Sequence, residues 1–110
     1  MTGLVKYIRV HWLHDEPDDP IVLHSELDST RFEARKVEVF REGRLGYASA
    51  EGEHGGTLLG VVPVPDLNEI AQERQFLPAE ISREEFESLW ARRGRALTPN
   101  ELDVLAKTKP

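Results

Sequence analysis

Histidines, carboxylates and a dense run of mixed charge are the chemically capable residues of this chain, and their spacing defines its candidate sites. His11, His14 and Asp15 form a His-x-x-His-Asp string. Imidazole and carboxylate are common metal ligands. On a strand, however, positions i and i+3 face opposite sides. The string holds no metal unless the strand bulges, and ordinary sheet histidines are the simpler reading. His11 with His24 is the better pair. Two neighbouring strands running antiparallel bring both rings to one face beside Arg9, Glu26 and Tyr7. Such a His–His–Glu cluster has the groups for general acid/base work or, with a third ligand, for a metal. The plainer reading is a polar sheet face with cross-strand pairs.

Arg31, Glu33, Arg35, Lys36 and Glu38 make one segment unusually charged. Either these residues form cross-strand ion pairs, each worth little at a surface, or they build an anion- or partner-binding face on a rigid sheet. Glu53-His54-Gly55-Gly56 is similar to the glycine-rich oxyanion loop of esterases but lacks the partner Gly-x-Ser-x-Gly elbow. It reads as a turn. Gly55 and Gly56 remain candidate binding positions, because glycine lets a ligand approach the backbone. The acidic stretch Asp15–Asp19 does not match calcium-loop spacing. No catalytic residue, metal or cofactor is assigned.

The elements that must position these groups follow from periodicity. Leu4 to His14 alternates Ile8, Val10 and Trp12 with Tyr7, Arg9 and His11, which is a strand. Asp15 to Pro20 is a loop, since two prolines remove two backbone donors. Ile21 to Leu27 returns as the second strand. Pairing Trp12 with Leu23 sets Arg9 against Glu26 and His11 against His24. That register makes one face apolar and matches charges on the other. Phe32 to Phe40 is a third strand, with a bulge near Arg35-Lys36 to reconcile its two parities. Gly43 turns the chain into a fourth strand, Arg44 to Ser49. Ala50 to Gly56 is a bent or flexible loop, and Thr57 to Val62 a short fifth strand.

Helical signals then take over. Asp66 with Glu69 is a capping box opening a short helix with Leu67 and Ile70 inward. Ser82 with Glu85 caps a second helix, whose Phe86, Leu89 and Trp90 form an i, i+3, i+4 stripe. Arg92, Arg93 and Arg95 complement its negative end. Thr98-Pro99-Asn100-Glu101 caps a third helix. The fold class is therefore α+β: an antiparallel sheet of four to five strands in the first half, one face of it covered by two to three short helices from the second.

Composition sets the outer limits. The 110 residues, 39% apolar and 31% charged, suit a single domain. There is no cysteine, which removes disulfides and thiol chemistry. No apolar run reaches the roughly 18 residues of a membrane span. Met1-Thr2-Gly3-Leu4 lacks a basic region leading into an apolar one, so no signal peptide is expected and the expected location is the cytoplasm. The net charge of −6 divides as −4, +2, −7 and +3 over residues 1–28, 29–49, 50–90 and 91–110. An acidic chain repels phosphate backbones and attracts basic partners.

Several segments, read together, also carry a resemblance. They are Tyr7 to Asp15, Pro20-Ile21-Val22, Ser25 to Asp28, Arg31 to Phe40, Gly43-Arg44, Gly55 to Gly60, Pro63-Val64-Pro65 and Glu85-Phe86. Over residues 5–90 the chain resembles a family of short bacterial proteins known only as a domain of unknown function. Residues 91–110 form a helical C-terminal extension outside the pattern. The resemblance implies a bacterial, cytoplasmic origin and gives weight to Arg31, Glu33, Arg35 and Lys36. It brings no activity.

Three functions follow as expectations. The first is a small binding protein of immunity or antitoxin type that masks a basic protein partner, with neither membrane nor nucleic acid involved. The second is a small-ligand or anion module using Arg31, Arg35 and Lys36 with the Ala50–Gly56 loop. The third is a hydrolase-like enzyme using His11, His24 and Glu26.

Overall fold

The computed structural model describes residues 5–110. Leu4, expected to open the first strand, lies outside them. The chain forms β1 (Lys6–Trp12), β2 (Val22–Leu27), β3 (Glu33–Val39), β4 (Leu45–Ser49) and β5 (Gly52–His54). Then come α1 (Leu67–Ile70), β6 (Phe76–Ile81), α2 (Arg83–Trp90) and α3 (Pro99–Ala106). The six strands form one antiparallel sheet in the order β5-β4-β3-β2-β1-β6.

The α+β class stands, with six strands in place of four to five. The sixth, β6, was not expected, because Phe76-Leu77-Pro78-Ala79-Glu80-Ile81 does not alternate and contains proline. It pairs only with β1, at the edge of the sheet, where a strand tolerates a residue without an amide hydrogen. The glycine-rich stretch after β4 is not merely a loop, since Gly52–His54 hydrogen-bonds to β4 as β5. Thr57–Val62 is not a strand. Side chains take up its backbone instead: Leu59 N–H donates to Glu53 and Gly60 N–H to Glu33, at 3.0 and 2.7 Å.

The β1–β2 register differs from expectation by two residues. Val10 opposes Leu23, Arg9 opposes His24 and His11 opposes Val22. A two-residue slip leaves every side chain on its expected face but changes its partner. The bulge also moves. Glu26 opposes Arg35 and Leu27 opposes Glu33, so Ala34 is the extra residue. It sends Arg35, Val37 and Val39 to one face and Glu33, Lys36 and Glu38 to the other.

Each face has its own core. On one, Tyr7, Val22, Val37, Val39, Leu45 and Ile81 pack with Phe86 of α2 and Leu97, and with partly buried Leu102 and Leu105 of α3. On the other, Ile8, Val10 and Leu27 meet Val64, Phe76, and Leu67 and Ile70 of α1. The helices therefore cover both faces, not one. Ser82 caps α2 by accepting from the Glu85 N–H, and Thr98 with Glu101 forms a full capping box on α3. Asp66 begins α1 without a side-chain cap bond. Arg93 and Arg95 donate to carbonyls of the last turn of α2, as the helix dipole favours.

Candidate functional site

The α2/α3 face carries Tyr7, Arg9, His11, His24 and Glu26, which periodicity placed on one face, and the bulge at Ala34 adds Arg35 to them. Within it the partners are redistributed. Arg9 donates to Glu85 at 2.6 Å, not to Glu26. Glu26 instead receives Arg35 through Nε and Nη2, at 2.8 and 2.7 Å, and the Tyr7 hydroxyl at 2.9 Å. Arg35 also grips Glu87 of α2 and lies 5.0 Å from the ring centroids of both Phe86 and Trp90. Hydrogen bonds from Arg35 hold the Glu26 carboxyl below its usual range, and burial pushes the Tyr7 phenol up.

His11 and His24 share this face as diagonal neighbours, not as a directly opposed pair. Both are buried, and among the described residues His11 Nε2 and both nitrogens of His24 find no hydrogen-bond partner. Burial lowers the pKa of His11 to about 4 and of His24 to about 3, with Arg9 adding to each shift. Both rings are neutral at pH 7. Glu26 is consumed by Arg35 and Tyr7, and no carboxylate of the described residues is hydrogen-bonded to either ring. His14 is occupied differently: Nε2 donates to the Pro20 carbonyl at 2.7 Å and Nδ1 accepts from the Glu16 N–H at 3.0 Å. The described residues contain no group of three metal-capable side chains.

The basic residues of the charged segment are matched within the chain. Arg31 adopts φ 69° and reaches away from β3 to the carbonyls of Val64 and Pro65, with Asp66 3.8 Å away. Lys36 lies 3.3 Å from Glu33 and 3.8 Å from Glu38. Glu33 accepts from Ser25, and Glu38 from the buried Thr57 hydroxyl, both at 2.8 Å. Burial raises the Glu38 pKa. These side chains tie the 57–66 segment down onto the sheet. Gly55 serves the same purpose, its carbonyl accepting from Arg44 at 2.6 Å. Gly56, at φ 85°, has open space around it.

That tied-down segment creates a groove of about 480 Å³ on the α1 face. Its apolar lining includes Ile8, Val10, Leu23, Val64, Ile70 and Phe76, its polar lining Ser25, Glu33, Glu69, Gln72 and Glu73, and no basic side chain of the described residues lines it. Glu69 and Glu73 are exposed at the rim, whereas Glu33 is held inside by Ser25, Lys36 and Gly60. Beyond the Gly60–Glu33 bond, Leu58, Val61 and Val62 are 63%, 90% and 66% exposed. The groove thus combines an apolar floor with an acidic rim, and exposed aliphatic residues precede its Val64 and Pro65 in the chain. Sequence reasoning missed this groove. Its signals were the charge of −7 over residues 50–90 and the Val61-Val62 pair set before two prolines.

A model of the family described as Domain of unknown function (DUF6881) matches residues 6–95. The chain belongs to this family. No curated protein and no solved structure matches it. The matched stretch spans all six strands, α1 and α2, and so contains the whole groove and every residue of the charged segment. Only α3 lies beyond it. No described helix is long and apolar enough to cross a membrane.

Proposed function

We propose that the protein is a small binding protein, of immunity or antitoxin type and of bacterial cytoplasmic origin, that masks a basic protein partner. The partner's basic segment lies in the groove between α1 and the sheet. The observation that carries this reading is the groove's lining, which is apolar at its floor and carries exposed Glu69 and Glu73 at its rim, with no basic side chain among the described lining residues. Carboxylates at the rim steer a cationic partner and set its orientation, while the apolar floor supplies affinity. Exposed Val61 and Val62, close before Val64 and Pro65 of the lining in sequence, offer further apolar surface. The acidic contact is assigned to Glu69 and Glu73 of the rim. The alternative of anion capture by Arg31, Arg35 and Lys36 has less support, because each of those groups already has carboxylate or carbonyl partners. The enzyme reading has less still, since His11 and His24 are buried and neither ring is hydrogen-bonded to a carboxylate of the described residues.

The test is affinity purification from the native host at low salt, comparing the natural chain with a Glu69→Lys/Glu73→Lys variant. The expected result is a basic partner at near-equal stoichiometry with the natural chain, absent with the variant and released by salt. A partner retained equally by both proteins would refute the groove assignment.

A further inference from the structure

α3 lies over the sheet with space on either side of it. One cavity, of about 390 Å³, runs between α3 and the end of β1 and has His11, Leu102 and Leu105 in its lining. The other, of about 320 Å³, lies between α3, α2 and His24 of β2, and Leu105 lines it too. Both rings are closed off from solvent: His11 is 2% and His24 0% exposed. α3 covers them without burying any residue of its own completely. Its Leu102 and Leu105 are only partly buried against the core. The chain is pinned just before the helix, where Leu97 is buried and its N–H donates to the Gly43 carbonyl at 2.8 Å, whereas the cap residue Thr98 is exposed. Beyond Thr98, two polar ties among the described residues join α3 to the body. Glu101 accepts from Arg92 Nη2 at 2.9 Å, and the Thr108 carbonyl accepts from Arg9 at 3.1 Å. The Arg92 and Glu101 side chains are 32% and 40% exposed, a range in which an ion pair holds weakly. α3 also lies beyond the residues 6–95 that the family model matches.

A buried imidazole accepts a proton only where water or a carboxylate can take up the charge. The groups around these two rings offer neither. Arg9 of β1 disfavours a cation on either ring, and Lys109 disfavours one on His11. Of the carboxylates on this face, Glu85 is taken by Arg9, Glu101 by Arg92, and Glu26 and Glu87 by Arg35. Asp15, His14 and Arg41 line the first cavity, and His11 Nε2 bonds none of them. We propose that α3 is an acid-sensitive lid, hinged at Thr98, that leaves the sheet as a unit when His11 and His24 take up protons, while the sheet and α2 stay folded. With the lid closed, burial holds the two rings at about 4 and about 3; with it open they meet water and return towards about 6.5. Between these values the open form binds more protons, so its population grows as pH falls. Glu101, held by Arg92 at about 2, keeps its charge throughout that window, so acid does not break this tie first. The lid is on the opposite face from the groove and stands apart from the partner reading.

The test is amide hydrogen exchange of the full-length protein between about pH 7 and about pH 5, corrected for the intrinsic pH dependence of exchange. The expected result is a loss of protection in residues 102–108 of at least about tenfold per histidine, with β1, β2 and β3 losing far less. His11→Leu and His24→Leu each remove one titrating ring, so each should reduce that pH response by about tenfold. Glu101→Gln keeps an acceptor for the helix cap but weakens the tie to Arg92. It should lower protection of residues 102–108 at every pH and leave the pH response unchanged. Protection there that stays constant with pH, or that falls only in step with the sheet, would overturn the proposal. A pH response undiminished in both leucine variants would overturn it as well. The natural chain and Glu101→Gln decide the matter even where a leucine variant does not fold.

Discussion

Arg35 and Glu26 face each other across β3 and β2 in a two-pronged ion pair, Nε to Oε1 at 2.8 Å and Nη2 to Oε2 at 2.7 Å. Their side chains are only 21% and 15% exposed. The guanidinium also joins the sheet to α2 through Glu87 and packs against Phe86 and Trp90. A partly buried carboxylate stripped of its cation costs far more than a surface pair is worth. Arg35→Ala is expected to lower stability by about 2–4 kcal/mol, read from urea unfolding at pH 7. Arg35→Lys should recover little, because an ammonium lacks the planar fork and the stacking. A loss below about 0.5 kcal/mol, the range of ordinary surface substitutions, would mean that the pair is only decorative.

Stability should fall on mild acidification, and the sign follows from the buried histidines. Unfolded histidine takes up a proton near pH 6.5, whereas folding lowers His11 to about 4 and His24 to about 3. Between these values the unfolded chain binds more protons, so unfolding free energy rises with pH. The histidine contribution is therefore complete above about pH 6.5 and is lost progressively as pH drops towards 4 and 3. His24→Leu should flatten the slope between pH 6 and 4. It should be neutral or stabilising at pH 7 by up to about 1 kcal/mol, since it removes two unpartnered polar atoms. Chemical denaturation across that pH range checks both statements, and an unchanged slope in the variant would show that His24 is not buried as a neutral ring.

Gly46 is irreplaceable for a steric reason. A Cβ there would collide with the Thr57 hydroxyl and meet Phe40 at 3.1 Å. Thr57 is fully buried and donates to Glu38, so displacing it leaves a buried carboxylate without that donor. Gly46→Ala should cost about 2–4 kcal/mol by overpacking and the lost hydrogen bond. It should also loosen the 57–66 segment, read as faster hydrogen exchange there. A fully stable Gly46→Ala protein would contradict the packing described for Thr57.

Much of this architecture was legible in the residues, for reasons that particular positions illustrate. Period-two alternation assigned Tyr7, Arg9 and His11 to one face and Ile8 and Val10 to the other, and the caps at Ser82 and Thr98 marked two helix starts correctly. Partner choice was not legible. A two-residue slip preserves faces, so nothing in the pattern separated Arg9–Glu26 from Arg9–His24. β6 escaped because its proline is harmful only in a central strand. The groove escaped because it depends on tertiary placement. It needs Glu33 and Lys36 to hold down a segment more than twenty residues further along the chain, as seen in the bonds to Gly60 and Leu58.

The most direct measurement of the central claim is hydrogen exchange on the purified complex, compared with the free protein. The account predicts new protection in Leu58–Val62, in α1 and at the β1 residues that floor the groove, with α2 and α3 unchanged. Protection centred on α2, α3 or the Asp15–Asp19 loop, with the groove unaltered, would contradict it.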